Sequence, residues 1–363
     1  MSISKGAEKL NRYLKSARMA ASGTDPVICV VGNEAADLDS MASAVVYAYH
    51  RATRGASALP LINIPREDFK LRTEAVYLFE KAGVDLQALI FADEIDLGAL
   101  KSAGRLSLVL VDHNRPAKSH ATFTDVVTGV IDHHADEGLF QDAAVRVIEP
   151  VGSAATLVAR EMLGGDVSEL DEGIATLLLG TILLDTVGLD PDAGRVTPGD
   201  QEIADRLLAL TGADQKQLFD ALQREKFNVS ALDSSDLLRK DYKEWQMGDL
   251  RVGVSSVLLS ISDWLDKDAA LSRSLGTYAA ARKLDLLLAM NAYTSPSFTR
   301  ELVVYCPDES VRNRVIPFLE GGDLGLTPIS SGAIDSDTRL YAQGNAGISR
   351  KKLQPILSDF LGK

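Results

Sequence analysis

The stretch "VICVVGNEAADLDSMASAVVYAYH", residues 27–50, joins an apolar run to a helical pattern through a loop with two aspartates one residue apart. The run "VICVV" predicts a buried strand. We expect Ser40 to be the N-cap of a helix that begins at Met41, with Ala44, Val45 and Ala48 on its apolar side. The stretch therefore predicts a strand–loop–helix unit.

The two aspartates of this loop, Asp37 and Asp39, are the first candidate site residues. Side chains two residues apart in an extended segment point the same way, so each aspartate could hold one metal ion. A single aspartate after a strand is more often a turn or capping residue. The pair is a stronger candidate for a metal site only if other ligands lie close to it.

The alternation of apolar runs and helical stretches continues to about residue 213. "LPLINIP", "ALIFAD", "RLSLVLVDHN" and "VVTGVIDHH" read as strands, and "RTEAVYLFEKAG" and "GSAATLVAREML" as helices. The apolar run "IATLLLGTILL" is too short to span a bilayer, which takes about 20 residues, and predicts a buried helix. Thr197 and Pro198 predict the start of another helix. This pattern indicates an α/β fold with a parallel sheet buried on both faces.

The second half of the chain mixes strands and helices differently. "RVGVSSVLLS", "LDLLLAMNAY" and "RELVVYC" read as strands, and the chain ends in the helical pattern "SRKKLQPILSDFLGK". We therefore predict two domains, residues 1–213 and 214–363, within the 363-residue chain.

Charge differs between these halves. Residues 1–213 contain 19 Lys and Arg against 31 Asp and Glu, whereas residues 214–363 contain 19 against 20. An acidic half that binds cations and a second half that supplies Lys and Arg would suit an anionic substrate; solubility alone explains the asymmetry equally well. A net charge of −13 argues against general nucleic-acid binding, and two cysteines argue against a disulfide framework.

Aspartate and histidine recur where the predicted strands and one helix end. Asp112 ends "LSLVLVD", His133 and His134 follow "VVTGVID", and Asp185 ends "LLLGTILLD". In open parallel sheets, ligands bind outside the carboxyl ends of the strands. Together with Asp37 and Asp39, these residues form the ligand set of a two-metal site.

The order and spacing of these motifs resemble those of the DHH phosphoesterase superfamily. "DLDS", "VDHN", "DHH" and "LLDT" match its four motifs, and "SRKK" at residues 349–352 resembles the closing motif of its DHHA2 domain. "GNEAADLDS", "VGSAATLV" and "GTILLDT" are most similar to the exopolyphosphatase and prune branch, particularly the fungal type. The resemblance implies a parallel-sheet DHH domain, a smaller α/β DHHA2 domain, and an active site in the cleft between them.

The resemblance also implies a role for each matching residue. Asp37 would bind the first metal and Asp39 the second, Asp112 would bridge both, and His133 and Asp185 would complete the second site. His134 would contact the phosphate. Arg350 and Lys351 would bind the substrate from the second domain, with Lys226, Arg239 and Lys240 beside them.

Asn33 stands where the related family II pyrophosphatases carry a histidine in the first motif. An amide oxygen is a harder and weaker ligand than imidazole, so the first site should bind metal less tightly and favour Mg²⁺ over softer metals. The same asparagine occurs in the exopolyphosphatase branch. Sequence does not decide whether Asn33 contacts the metal directly or through water.

The implied activity is that of an exopolyphosphatase, which releases terminal orthophosphate from inorganic polyphosphate by attack of water activated by two metals. The implied cofactors are two divalent ions, Mg²⁺ or Mn²⁺, with Co²⁺ a further candidate. The alternatives are an inorganic pyrophosphatase, a short-chain or nucleotide phosphohydrolase, and a scaffold protein with residual phosphoesterase activity. A nucleic-acid phosphodiesterase is disfavoured because the chain lacks a "GGGH"-like motif and any aromatic-rich basic stretch.

The remaining expectations concern partners and location. Polyphosphate is the expected substrate, and we expect neither nucleic acid nor a membrane as a partner. We expect a monomer in the cytoplasm, with mitochondrial and vacuolar pools left open. Chain-length preference, processivity and activity on nucleotides cannot be predicted from the sequence.

Overall fold

The computed structural model describes residues 6–294 and 297–362. The chain divides into two compact units, Met1–Phe227 and Asn228–Lys363. The first contains a five-stranded sheet and the second a six-stranded sheet. Both sheets are flanked by helices, which confirms the predicted α/β class.

In the first unit, all neighbouring strands are parallel, in the order β2-β1-β3-β4-β5. The strand order changes direction at β1, so the topological switch point lies between β1 and β3. β1 and β3 are almost entirely Val, Ile and Leu and are largely buried, as expected for a sheet covered on both faces. The strands are β1 (Val27–Val31), β2 (Ala58–Leu61), β3 (Leu106–Val111), β4 (Val127–Asp132) and β5 (Val145–Ile148).

The helices of this unit contribute the rest of its hydrophobic core. They are α1 (Glu8–Ala21), α2 (Leu38–Thr53), α3 (Thr73–Lys81), α4 (Leu97–Ser102), α5 (Ala154–Leu163), α6 (Glu172–Asp185), α7 (Pro198–Thr211) and α8 (Gln215–Phe227). α6 is buried on nearly every side, which accounts for its continuous apolar sequence. α7 begins as predicted: Thr197 is its N-cap and forms a capping box with Asp200.

The last helix of the first unit lies beyond the predicted domain break. α8 packs against α3 and α6, and it buries Leu218, Ala221 and Leu222. Its apolar face therefore belongs to the core of the first unit. The break predicted near residue 213 falls in the loop before α8, and the assignment of residues 214–227 to the second functional domain stays a prediction.

Two local predictions are wrong. α2 begins at Leu38 rather than Met41, and its N-cap is Asp37, whose Oδ1 accepts a hydrogen bond from the Ser40 amide at 3.0 Å. The segment of Asp37 and Asp39 is therefore not extended, because the helix starts between the two aspartates. "ALIFAD" forms only one bridge, Ile62 to Phe91, because 3₁₀ turns on both sides leave too few residues for a strand.

The second unit has a mixed sheet in the order β10-β11-β9-β8-β7-β6, in which only β7 and β8 run parallel. Its strands are β6 (Tyr242–Met247), β7 (Leu250–Val257), β8 (Leu286–Tyr293), β9 (Thr299–Tyr305), β10 (Leu326–Pro328) and β11 (Thr338–Gln343). Its helices are α9 (Ser234–Lys240), α10 (Ile261–Lys267), α11 (Leu271–Arg282), α12 (Glu309–Glu320) and α13 (Arg350–Leu361). No helix in the described parts of the chain is long and apolar enough to cross a bilayer.

Candidate functional site

A cavity of about 470 Å³ opens beside the switch point of the first sheet. It lies at the carboxyl ends of β1, β3 and β4, where open parallel sheets bind their ligands. The structure brings together here every site residue predicted in the DHH motifs: Asn33, Asp37, Asp39, Asp112, His133, His134 and Asp185.

Asp39 lies in the first turn of α2 and is 3% exposed. Its carboxylate accepts hydrogen bonds from the Ala154 and Ala155 amides at 2.6 and 2.8 Å and from the Ser43 hydroxyl at 2.9 Å. Ala154 and Ala155 are the first residues of α5, whose N-terminal dipole favours a carboxylate. Burial nevertheless raises the pKa of Asp39, and the charge of His133 offsets part of the rise.

Asp112 follows β3 in a left-handed conformation, with φ at +63°. Its Oδ1 lies 3.2 Å from Nε2 of His133 and 3.7 Å from Nδ1 of His134. Burial, followed by the charge of Asp39, raises the pKa of Asp112 to about 8. Asp112, His133 and His134 can each offer a ligand atom within 4.8 Å of the others, close enough to share a cation.

Each of the two histidines is oriented through its Nδ1. Nδ1 of His133 lies 2.9 Å from the Val151 carbonyl, which directs Nε2 toward the carboxylates. Burial alone would lower the pKa of His133, but its hydrogen bond to Asp112 and the charge of Asp39 raise it to about 10. Nδ1 of His134 lies 2.8 Å from Oδ1 of Asp132.

Asp132, the first residue of "DHH", holds the backbone of the two histidines in position. It is fully buried, and its Oδ1 accepts the backbone amides of His133 and His134 at 2.8 and 3.2 Å. Its Oδ2 accepts the Asn114 side-chain amide at 2.5 Å. Asp132 therefore fixes the turn that presents the two histidines.

Asp185 is the best indicator of a bound cation. It is the last residue of α6, where the helix dipole disfavours a negative charge. Its Oδ2 is buried and has no hydrogen-bond partner among the described residues. Burial, and then the charge of Asp39, raises its pKa well above the usual value. A divalent cation would satisfy this oxygen and offset the charges, so the residues present fit a metal site.

Asn33 contacts Asp112 through its amide group. Its Nδ2 donates to Oδ2 of Asp112 at 2.7 Å, and its Oδ1 accepts the amides of Ala35 and Ala36 at 2.9 and 3.1 Å. In this arrangement Asn33 holds the candidate metal ligand Asp112 in place, and its hydrogen bonds to Ala35 and Ala36 stabilise its own loop. Direct ligation of a metal by Asn33 stays a prediction.

The cations predicted to clamp substrate occupy varied surroundings. Arg350 begins α13 and donates to Oδ1 of Asp241 at 2.6 Å and to its backbone carbonyl at 2.5 Å. Arg239, in α9, pairs with the buried Asp236 at 3.1 Å. Lys351 is exposed and Lys240, at the end of α9, is half-buried. Lys226 is exposed on α8 and so lies in the first unit, not in the second half with the other predicted cations.

Two residues at this cavity escaped prediction. Arg195 lines the cavity, is exposed, and forms no ion pair with any described residue. Asp200, three residues beyond Thr197, is fully buried and ties together two segments that line the cavity. Neither lies in a recognisable motif, because the loop "DPDAGRVTPGD" carries only turn and capping signals.

We expect Asp200→Ala to destabilise the protein by about 3 kcal/mol, because it leaves buried donors without partners. Asp200 accepts hydrogen bonds from the Gly152 and Thr197 amides and from the Thr156 and Thr197 hydroxyls, at 2.5–2.8 Å. Urea unfolding measures the loss. Asp205→Ala, at an exposed position of the same helix, is the matched control and should cost less than about 0.5 kcal/mol. Equal costs would contradict the structural role of Asp200.

Comparisons with known proteins agree with this architecture. The DHH family, N-terminal domain, matches residues 27–182, and the DHHA2 domain matches residues 220–360. "Exopolyphosphatase PRUNE1" of Rattus norvegicus is 39% identical over 362 residues, covering 96% of this chain and 78% of that protein. A Schizosaccharomyces pombe relative, also named as an exopolyphosphatase, is 32% identical over 98% of this chain and 96% of its own length.

A more distant relative is the "Manganese-dependent inorganic pyrophosphatase" of Methanocaldococcus jannaschii, 28% identical over 63% of this chain and 70% of its own. These similarities, with the chemistry of the cavity, define the class of the protein: it is a hydrolase of the phosphoesterase type. The chain belongs to the DHH family and carries the DHHA2 domain in its C-terminal part.

Proposed function

We propose that the protein is an exopolyphosphatase that releases terminal orthophosphate from inorganic polyphosphate with the help of two divalent cations. The observation that carries the proposal is the cluster of Asp37, Asp39, Asp112 and Asp185 at the switch point. Within the described parts of the chain, one buried carboxylate oxygen of this cluster, Oδ2 of Asp185, has no hydrogen-bond partner. The choice of polyphosphate is supported by the relatives named as exopolyphosphatases.

The metal requirement is supported by chemistry and by relatives. Relatives named as manganese-dependent pyrophosphatases support a divalent cation, and Asp39, Asp112, His133 and Asp185 would hold it. Divalent cations bound there lower the pKa of water and neutralise charge that develops on phosphate. Asp37, at the exposed rim, would contribute to a second ion. The assay below compares Mg²⁺ with Mn²⁺ as the activating ion.

The chain's own residues would orient the reaction. Water held among the carboxylates and His133 would attack the terminal phosphorus, and the bond to the next bridging oxygen would break. The shortened chain leaves as a stable anion, so it needs no dedicated general acid. His134, whose ring is fixed by Asp132, would contact the transferred phosphate. Arg350 and Lys351 remain the proposed substrate-binding cations of the second unit.

Parallel assays of phosphate release from long-chain polyphosphate, tripolyphosphate and pyrophosphate, with Mg²⁺, Mn²⁺ or EDTA, test the proposed function. We expect release from both chains, little from pyrophosphate, and none in EDTA. Pyrophosphate as the best substrate would replace the proposal with a pyrophosphatase. No release from any substrate would favour a scaffold. The monomeric state and the cytoplasmic location stay predictions that these assays do not address.

Arg195 is a further substrate contact that we predict at the same cavity. A guanidinium beside four carboxylates can bind a phosphate that the carboxylates would otherwise repel. We expect Arg195→Gln to raise the KM for tripolyphosphate about tenfold, the loss of about 1.4 kcal/mol of binding, with kcat within threefold. Arg224→Gln removes a charge from another exposed position, on α8, and is the control. An unchanged KM in Arg195→Gln would exclude the contact.

A further inference from the structure

The backbone is strained in the turn that follows Asp185. Val187, Gly188 and Leu189 all have positive φ, at +55°, +73° and +62°. Residues with a side chain disfavour this conformation, and a β-branched residue such as valine rarely adopts it. Strain of this kind persists only where the surrounding structure holds it, and it concentrates at functional sites. The candidate metal ligand Asp185 lies only two residues before Val187. We call residues 187–189 the left-handed turn.

The left-handed turn ends α6 with the hydrogen bonds of a Schellman motif. The Gly188 amide donates to the Leu183 carbonyl at 2.7 Å. The Val187 amide donates to the Leu184 carbonyl at 3.4 Å. The first left-handed residue of such a motif is usually glycine, which has no Cβ to clash with the backbone. Here that position is occupied by Val187, so this helix end needs support from elsewhere in the fold.

α8 supplies this support through two contacts with Gly188. Nε2 of Gln215 donates to the Gly188 carbonyl at 2.9 Å. The Phe219 ring packs on the same residue, since a Cβ added at Gly188 would lie 3.0 Å from Cδ1 of the ring. Leu189, the last residue of the turn, is 6% exposed and belongs to the hydrophobic core. The left-handed turn is therefore held both by α8 and by the core.

We propose that Gln215 is a positioning residue for Asp185 and acts through the left-handed turn. The inference rests on the proposed role of Asp185 as a metal ligand. Without the hydrogen bond from Gln215, relaxation of Val187 toward negative φ would break the Schellman hydrogen bonds. The last turn of α6 would then fray, because its carbonyl groups lose their partners. Asp185 is the last residue of that turn, so its carboxylate would lose its fixed position.

Calorimetric titration of the full chain with Mn²⁺ at pH 8 tests the proposal without turnover. Gln215→Met keeps the length of the side chain and removes its amide donor. We expect about tenfold weaker binding of the ion that Asp39, His133 and Asp185 would hold, a loss typical when the support of a ligand is removed. Binding of the other ion should change less than threefold. Gln217→Met, at an exposed position of the same helix, is the control and should bind both ions as the wild type does.

A rescue variant distinguishes positioning from general loosening of the fold. Glycine adopts positive φ without strain, so Val187→Gly in the Gln215→Met chain should restore the affinity to within about threefold of the wild type. Absence of rescue, equal weakening of both ions, or unchanged binding by Gln215→Met would each overturn the proposal while the metal site stands. Absence of Mn²⁺ binding by the wild type would overturn the metal site and this inference together.

Hydrogen exchange of the wild-type chain keeps the test valid if Gln215→Met does not fold. We expect Mn²⁺ to slow exchange in peptides from residues 183–190 and also from the first turns of α8, residues 214–222. Exchange in the short helix α4 should not change. Slowing confined to residues 183–190 would show that α8 does not hold the turn and would overturn the proposal. Equal slowing in α4 would also overturn it, because it would report only a general gain in stability.

Discussion

Asp112→Asn should reduce phosphate release from tripolyphosphate more than about a thousandfold, a loss of about 4 kcal/mol of transition-state stabilisation. Asp112 is central to the candidate ligand set, since its Oδ1 lies within 3.7 Å of both histidines. Asparagine keeps the shape of the side chain but removes the charge that would hold two cations together. Phosphate release at saturating Mg²⁺ or Mn²⁺ measures the effect.

The fold should survive this substitution. Asp112 has φ at +63°, a conformation that asparagine tolerates and alanine adopts less readily. Because the pKa of Asp112 is raised to about 8 by burial, the neutral amide should not destabilise the protein when EDTA is present. Asp112→Ala should also abolish activity, with a modest additional cost from backbone strain. If Asp112→Asn retained more than a tenth of wild-type activity, the two-metal proposal would be contradicted.

Removal of divalent cations should lower the thermal stability of the protein, and more so at pH 8 than at pH 6. Burial raises the pKa of Asp112 to about 8, so between about pH 4 and pH 8 this carboxyl binds more protons in the folded chain than in the unfolded chain. Burial also raises the pKa of Asp39 and Asp185, which act in the same direction. Stability without cations therefore falls as the pH rises through this window. The raised pKa of His133, about 10, acts in the same direction above about pH 6.5.

Added Mn²⁺ should reverse this loss, because it binds the deprotonated carboxylates. At a hundredfold excess over its Kd it would contribute about 2.7 kcal/mol, or about 5–10 °C in Tm for a unit of this size. Differential scanning fluorimetry at pH 6 and pH 8, with EDTA or Mn²⁺, measures the shift. Asp185→Asn should reduce it, whereas Asp205→Asn on the surface of α7 should not. An identical Tm with EDTA and Mn²⁺ would contradict the metal site.

The sequence was most informative where buried strands end in acidic residues. Runs of Val, Ile and Leu followed by Asp112 or by "DHH" predict both the strand and the position of the ligand, because the carboxyl ends of parallel strands share one edge. The same argument missed β5, whose four residues are only half-buried at the sheet edge and give a weak apolar signal.

Long-range contacts were beyond prediction. Asp39 accepts hydrogen bonds from α5, which lies 115 residues further along the chain, and no local pattern encodes this pairing. The predicted start of α2 is wrong because Asp37 and Ser40 are both good N-cap residues. In the structure the Ser40 hydroxyl accepts the backbone amide of Asn33, and Asp37 caps the helix instead. Arg195 was missed because an arginine in a loop resembles any solvated cation.

The buried position of Asp132 bears on how activity is inferred in other chains with "DHH". Its carboxylate bonds the two following amides, the His134 ring and Asn114, so it maintains a turn. A descendant that kept Asp132 but replaced Asp112 would retain the triplet and, on our proposal, lose its chemistry. Inspection of the residue that directly follows β3 would therefore separate working enzymes from inactive copies better than the triplet itself.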